Sequence, residues 1–197
     1  MADLKTVTTA VNVVEKKISV KEFREMDFTG GDFCVYEVID GQFFTRPTPS
    51  PRHQLVVSNL LYGLNWHFEE NPLGTFFQAP IDVIFDDANY VQPDILFILK
   101  DRMSIVDWQD AILGVPDIVI EVLSKGSVRT DRVVKKNVYE RFGVKEYWIV
   151  DPNNKAVEIF ELKENRYELV NYIEKEGKIT SSIVPTFDFE VQTLFNY

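Results

Sequence analysis

The chain has 197 residues, of which 45% are hydrophobic and 26% charged, as in an ordinary globular domain. Its net charge of -10 argues against a protein that coats nucleic acid through a basic surface, and its single cysteine excludes an internal disulfide. No apolar run approaches the roughly 18 residues of a membrane span, and the first residues lack a signal-peptide pattern. We therefore expect a single cytoplasmic domain without membrane contact.

The N-terminal third predicts an arm, a short helix and a hairpin. Residues 1–18 show no clear period, so the folded domain should cover 19–197, beginning with a helix capped by Ser19. The first strand of the hairpin places Glu37 among apolar side chains. Spacing alone favours a structural partner for this carboxylate, such as Arg46 or Arg52, over a role in an active site.

A long helix and a second hairpin follow. Proline in the first helical position predicts a helix over 51–70, and His53 in its first turn could face either solvent or a phosphate. Two apolar runs, GTFFQAPIDVIF and YVQPDILFIL, flank a polar turn and predict an antiparallel hairpin. Because proline donates no N–H, Pro80 and Pro93 should mark a bulge or a strand end.

The next strand carries two acids on one face. Alternation along PDIVIEV places Asp117 and Glu121 on the same side, with the isoleucines on the other. Repulsion between the two carboxylates would be unfavourable unless one reaches solvent or a cation lies between them. Asp117 is therefore a candidate supporting residue.

A basic segment and a helix complete the central region. The apolar runs that follow, toward the C-terminus, predict a meander of strands. The helix should begin at Thr130 and end at Gly143, with Arg132 on its solvated face and Lys135 toward the core. The basic residues between Ser124 and Lys136 could contact a phosphodiester or could be a solvated surface, and the sequence weighs the two equally. The candidate nucleic-acid contacts are Lys125, Arg129 and Arg132.

Three side chains on successive elements carry the chemistry. Asp94, Glu121 and Lys135 stand where apolar residues would be the default. Two carboxylates on adjacent strands with a lysine nearby can hold a hard divalent cation and an attacking water against a phosphate. We interpret the protein, as a hypothesis, as a metal-dependent nuclease.

These motifs also carry a family resemblance. The order helix, strand, strand, strand, helix, strand, with Pro93-Asp94 and Glu121 on neighbouring strands, resembles the PD-(D/E)XK nuclease superfamily. The following segments resemble the Uma family of restriction endonucleases over roughly residues 20–195: YEVIDGQ, SPRHQ, VQPDILF, PDIVIEVLS, D-x3-K-x3-Y and GVKEYWIVDP. The fold implied is α/β (α+β): a restriction-endonuclease-like core, with a mixed sheet flanked by helices and extra antiparallel strands at both ends.

The resemblance implies roles for individual residues. Asp94, Glu121 and the carbonyl of Val122 would hold Mg²⁺ or Mn²⁺. The superfamily lysine usually stands two residues after the glutamate, where this chain has Leu123. In the Uma family it has moved to the following helix, at the position of Lys135. The resemblance also implies that Glu37 is a further acid of the site. From its position one turn beyond Lys135, we expect Tyr139 to be a packing residue whose hydroxyl steadies the lysine or the acids.

Several alternatives remain open at this level. The rival interpretation is a non-catalytic module that keeps the fold and binds nucleic acid or an acidic partner. An enzyme that cuts RNA through the same chemistry is a third. DNA is the expected substrate, and a homodimer is plausible because cutting both strands needs two active sites.

Overall fold

The computed structural model of the protein describes residues 17–27, 34–70, 72–185 and 187–196. The proposed N-terminal arm lies outside the described residues except for its last two. Of these, Ile18 is buried and donates its backbone N–H to Gly41 O at 2.9 Å. Helix α1 (Val20–Arg24) follows, and Ser19 forms the predicted capping box with Glu22.

The remaining elements of the described ranges alternate as follows. The strands are β1 (Cys34–Ile39), β2 (Gln42–Pro47), β3 (Gly74–Gln78), β4 (Val83–Asp86), β5 (Asn89–Val91), β6 (Ile95–Leu99), β7 (Ile112–Leu113), β8 (Ile118–Val122), β9 (Glu146–Asp151), β10 (Ala156–Lys163), β11 (Arg166–Glu174), β12 (Lys178–Thr180) and β13 (Asp188–Glu190). The helices after α1 are α2 (Pro51–Glu70), α3 (Lys136–Phe142) and α4 (Val191–Leu194). A 3-10 helix covers Lys100–Ile105, and a π-helical turn, Thr130–Lys135, runs directly into α3.

Two sheets organise the molecule. The larger has the strand order β11-β10-β9-β8-β6-β3, and the smaller has the order β2-β1-β5-β4-β7. In the larger sheet β8 and β9 are parallel and are connected through α3, whereas its other pairs are antiparallel. The predicted meander is found in β9, β10 and β11, but β12 leaves it and pairs with β13.

The predicted central hairpin forms, but it is divided between the two sheets. Its base, β3 with β6, lies in the larger sheet, and its tip, β4 with β5, lies in the smaller. Pro80 separates β3 from β4, and Pro93 separates β5 from β6. The expectation that the prolines mark strand ends is confirmed, because a residue without an N–H cannot continue the ladder.

The larger sheet is covered on both faces. One face packs against α2 and the C-terminal segment, and the other packs against α3 and the smaller sheet. The stripe that α2 buries consists of Val56, Val57, Leu60, Leu64 and Phe68. The Phe189 ring lies 2.2 Å from where a Cβ on Gly63 would stand, so this glycine lets β13 approach the helix. On β8, Ile120 faces α2 and Val119 faces the opposite core, so Glu121 lies between the sheets.

Candidate active site

A cluster of buried polar side chains lies between the two sheets, at the carboxyl end of β8. Six segments of the chain contribute to it: β1, β2, α2, the residue before β6, β8 and the helix formed by the π-helical turn and α3. The members of this carboxylate cluster are Glu37, Arg46, His53, Asp94, Glu121, Asp131, Lys135 and Tyr139. All but Arg46 are less than a tenth exposed, and the Arg46 side chain is 12% exposed.

Lys135 is the central cation of the carboxylate cluster. Its Nζ lies 2.7 Å from Glu37 Oε1 and 2.8 Å from Glu121 Oε1. The hydroxyl of Tyr139 donates to the same Glu121 oxygen at 2.7 Å. Burial lowers the pKa of Lys135, but the charges of Glu121 and Glu37 outweigh it and raise the pKa, so the ammonium stays charged. The structure thus places Lys135 beside Glu37 and Glu121, two of the three acids that the resemblance assigns to the site.

Asp94 is held from two sides. Its Oδ2 accepts a hydrogen bond from the Val122 N–H at 2.8 Å and another from His53 Nε2 at 3.0 Å. Burial opposes ionisation of Asp94, but the His53 hydrogen bond and the nearby Arg46 charge lower its pKa. His53 therefore faces a carboxylate rather than solvent, and it orients Asp94. The contact of Val122 shown here is made by its N–H; the role of its carbonyl stays a prediction.

Asp131 is a fully buried acid of the carboxylate cluster. Neither of its oxygens has a hydrogen-bond partner in the described part of the chain, and Lys135 Nζ lies 4.0 Å from Oδ1. Burial raises the pKa of Asp131 to about 6, and burial raises that of Glu121 to about 8, although Lys135 opposes both shifts. Both acids therefore hold protons at a pH where ordinary carboxyls are ionised.

The charge balance of the cluster explains these shifts. Four carboxyl groups face two permanently cationic side chains, Arg46 and Lys135. If all four carboxyls were ionised, two negative charges would remain uncompensated in a buried environment, which is costly. Protons or a bound cation must make up this difference.

The free oxygens of Asp94 and Glu121 face a common position. Glu121 Oε2 has no hydrogen-bond partner among the described residues, and Asp94 Oδ1 makes neither of the Asp94 hydrogen bonds above. Both lie near Arg46 Nη1, at 3.9 Å and 3.5 Å respectively. Hard oxygen ligands of this kind suit Mg²⁺ or Mn²⁺. The described ranges contain no group of three His, Cys, Asp or Glu side chains arranged to hold a metal, so the fit rests on these two oxygens and the charge deficit.

Two open clefts reach the cluster. One has a volume of about 270 Å³ and is lined by Arg46, His53 and Asp94; we call it the Asp94 cleft. The other has a volume of about 340 Å³ and is lined by His53, Lys125 and the adjoining turn; we call it the Lys125 cleft. His53 borders both clefts, whereas the Asp94 carboxylate itself lines the Asp94 cleft.

Asp117 lies apart from the carboxylate cluster. It precedes β8, whereas Glu121 is near the strand's other end, and it pairs with Arg102 at 2.6 Å and Lys145 at 2.8 Å. It also accepts a hydrogen bond from the Leu99 N–H at 2.9 Å. The repulsion expected between the two acids is thus relieved by local cations, and the structure gives Asp117 a structural role in place of the supporting role expected from the sequence.

The predicted nucleic-acid residues divide into two groups. Lys125 and Arg129 are exposed, and Lys125 borders a cleft of the cluster. Arg132 is not on a fully solvated face: its guanidinium pairs with Glu158 at 2.6 Å and lies 3.6 Å from Asp151. The helical residues begin at Val128, before the expected Thr130 cap.

Sequence reasoning did not assign Arg46 and Asp131 to the active site. Arg46 was considered only as a partner of Glu37, which it approaches at 3.8 Å. For Asp131 a signal was available, because Asp131, Lys135 and Tyr139 are spaced by four residues and so share one helical face. The π-helical turn carries the first two, and such turns often occur at functional sites.

The raised pKa values predict how stability depends on pH in the absence of divalent metal. The native state keeps protons on Asp131 up to about pH 6 and on Glu121 up to about pH 8, whereas the unfolded chain loses them near its ordinary carboxyl values. Unfolding then releases protons, so this contribution to stability is fully present below about pH 4 and is lost as the pH rises to about 8.

Urea unfolding in EDTA across this pH range measures the effect. Asp131→Asn should reduce the decline below about pH 6, and Glu121→Gln should reduce it over the whole range up to about pH 8, whereas Asp40→Asn, at an exposed ion pair with Arg141, should leave it unchanged. Identical pH profiles for wild type and both cluster variants would contradict the prediction.

Known proteins resemble the chain in sequence and in fold. The family model Uma2, described as "Putative restriction endonuclease", matches residues 20–192. A solved structure described as "a putative nuclease belonging to DUF820", from Anabaena variabilis, superposes with a TM-score of 0.72 at 21% identity, covering 90% of this chain and 97% of that one. At this identity the likeness establishes the fold, which is the mixed α+β, restriction-endonuclease-like fold that the resemblance implied.

Two further results complete the comparison. No curated protein matches the chain. Among the described residues, no helix is long and apolar enough to cross a membrane. Because the family model covers most of its length, the chain belongs to the Uma2 family.

Proposed function

We propose that the protein is a divalent-metal-dependent endonuclease that hydrolyses phosphodiester bonds in DNA, with the carboxylate cluster as its active site. One observation carries the proposal: the free oxygens of Asp94 and Glu121 face one position in a cluster that lacks two positive charges. One Mg²⁺ or Mn²⁺ would supply both charges. The description of the family as restriction endonucleases supports DNA as the substrate.

The residues of the cluster have different proposed roles. A metal held there would lower the pKa of a bound water and neutralise charge that develops on the phosphate. Lys135, fixed between Glu37 and Glu121, would orient the attacking water or stabilise the transition state. Tyr139 fixes Glu121, and His53 fixes Asp94.

The clefts give the substrate a route to these groups. Asp94 borders an open cleft, so a phosphate can approach its carboxylate from solvent. Lys125, on the rim of the other cleft, and the exposed Arg129 are the proposed contacts to the flanking phosphates, and they offset locally the negative charge of the whole chain. Arg132 takes part less, since two acids already hold it. A homodimer would bring a second active site to the opposite strand.

Cleavage of supercoiled plasmid and of single-stranded DNA tests the proposal. With Mg²⁺ or Mn²⁺ the purified protein should convert supercoiled plasmid to nicked and linear forms, and EDTA should stop the reaction. RNA of matched length shows whether the cleavage is selective for DNA. Metal-independent DNA binding without cleavage would instead favour the non-catalytic module.

A further inference from the structure

Arg46 occupies an unusual position for a buried arginine. Its Nη1 lies near the free oxygens of Asp94 and Glu121, at 3.5 Å and 3.9 Å, and its Nη2 lies 3.8 Å from Glu37 Oε1, all longer than an ordinary hydrogen bond. Its Nη2 donates to Gln92 O, and its Nε has no hydrogen-bond partner among the described residues. Arg46 therefore compensates the carboxylates by charge, while much of its hydrogen-bonding capacity toward them is unused.

A divalent ion would use the same oxygens more fully. Mg²⁺ binds carboxylate oxygens at about 2.0–2.1 Å and carries twice the charge of a guanidinium. Two cations beside the same pair of buried oxygens would repel each other strongly, because the surrounding dielectric constant is low. The metal and the present position of Arg46 are thus in competition.

We infer that Arg46 is an internal placeholder for the metal: its guanidinium holds the two carboxylates together in the metal-free protein and must withdraw from between them for the ion to bind. The Asp94 cleft, which Arg46 also lines, is the space open to the displaced side chain. Arg46 is thereby a positioning residue that sets metal affinity. This inference rests on the proposed function, since it assumes that the cluster binds a divalent ion.

Mn²⁺ binding, followed by electron paramagnetic resonance of the free ion, tests the inference without any cleavage assay. Arg46→Gln should bind Mn²⁺ about tenfold or more tightly than wild type, because the competing charge is gone. Arg46→Lys keeps the charge on a shorter side chain and should show an intermediate gain. Arg102→Gln is the matched control, because it removes a cation from the buried Asp117 outside the cluster and should leave the affinity unchanged.

Thermal unfolding supplies a second readout. Without metal, Arg46→Gln should melt below wild type, since the carboxylates lose a counter-charge, and saturating Mn²⁺ should raise its Tm by more than it raises that of wild type. If Arg46→Gln fails to fold, Arg46→Lys carries the comparison.

The outcomes separate the inference from the proposed function. Wild type that binds Mn²⁺ while both Arg46 variants bind it equally or more weakly would overturn the placeholder and leave the metal-dependent enzyme standing. Absence of Mn²⁺ binding in wild type and in every Arg46 variant would overturn both. Mn²⁺ binding that appears only when Arg46 is replaced would support the inference, because it would show that the arginine alone keeps the ion out.

Discussion

Glu121→Gln should reduce metal-dependent plasmid nicking by on the order of 100-fold or more, the size of effect seen when one preorganised electrostatic group is lost from an active site. The amide keeps the shape of the side chain and an oxygen for Tyr139 and Lys135, but it removes the negative charge that would hold the metal. Rates should be measured on supercoiled plasmid at saturating Mn²⁺.

The same variant should fold normally. Glu121 is fully buried with its pKa raised to about 8, so replacing its carboxyl by a neutral amide lessens the negative excess of the cluster. Asp117→Asn is the control, because Asp117 is a buried acid that flanks the same strand but lies outside the cluster. Full nicking activity in a folded Glu121→Gln protein would refute the assignment of this site.

Lys135→Met should cause the largest loss of stability among the cluster variants, about 3–5 kcal/mol, because it removes the cation of buried Glu37 and a hydrogen-bond donor of buried Glu121. For a chain of this length the loss corresponds to a Tm lowered by about 6–20 °C. Differential scanning calorimetry at pH 7 measures it. Methionine retains most of the side-chain volume, so charge rather than packing is tested.

Two further variants make the Lys135 result specific. Lys136→Met removes the next lysine, whose Nζ lies 3.6 Å from the Phe160 ring centroid, and it should cost only about 1 kcal/mol. The double variant Lys135→Met with Glu121→Gln should be more stable than the sum of its single changes, since one buried charge has been removed with its partner. Strict additivity would show that Lys135 and Glu121 do not interact energetically.

The parts of the fold that could be predicted are those encoded locally. The Ser19 capping box, the start of α2 at Pro51 and the strand ends at Pro80 and Pro93 each depend on neighbouring residues alone. The division of one hairpin between two sheets could not be predicted in this way, because it depends on which distant strands pair with each half.

The same distinction applies to the active site. Asp94, Glu121 and Lys135 were identifiable because a charged residue in an apolar run is locally conspicuous, and the structure brings them into one cluster. Asp117 has the same local signature, but Arg102 and Lys145, which neutralise it, come from other elements. Arg46 was expected only as a structural partner of Glu37, because its contacts with Asp94 and Glu121 depend on elements that are distant in the sequence.

The divided hairpin also determines how the protein can open. Two short connections join the sheets within this hairpin: one runs from β3 to β4 and the other from β5 to β6. Asp94 lies in the second connection. Glu37 and Arg46 belong to the smaller sheet and Glu121 to the larger, so separating the sheets would pull on the segment that carries the carboxylate between them. Partial unfolding that spares half of the cluster is therefore disfavoured, and the cluster should be gained or lost within a single cooperative unit.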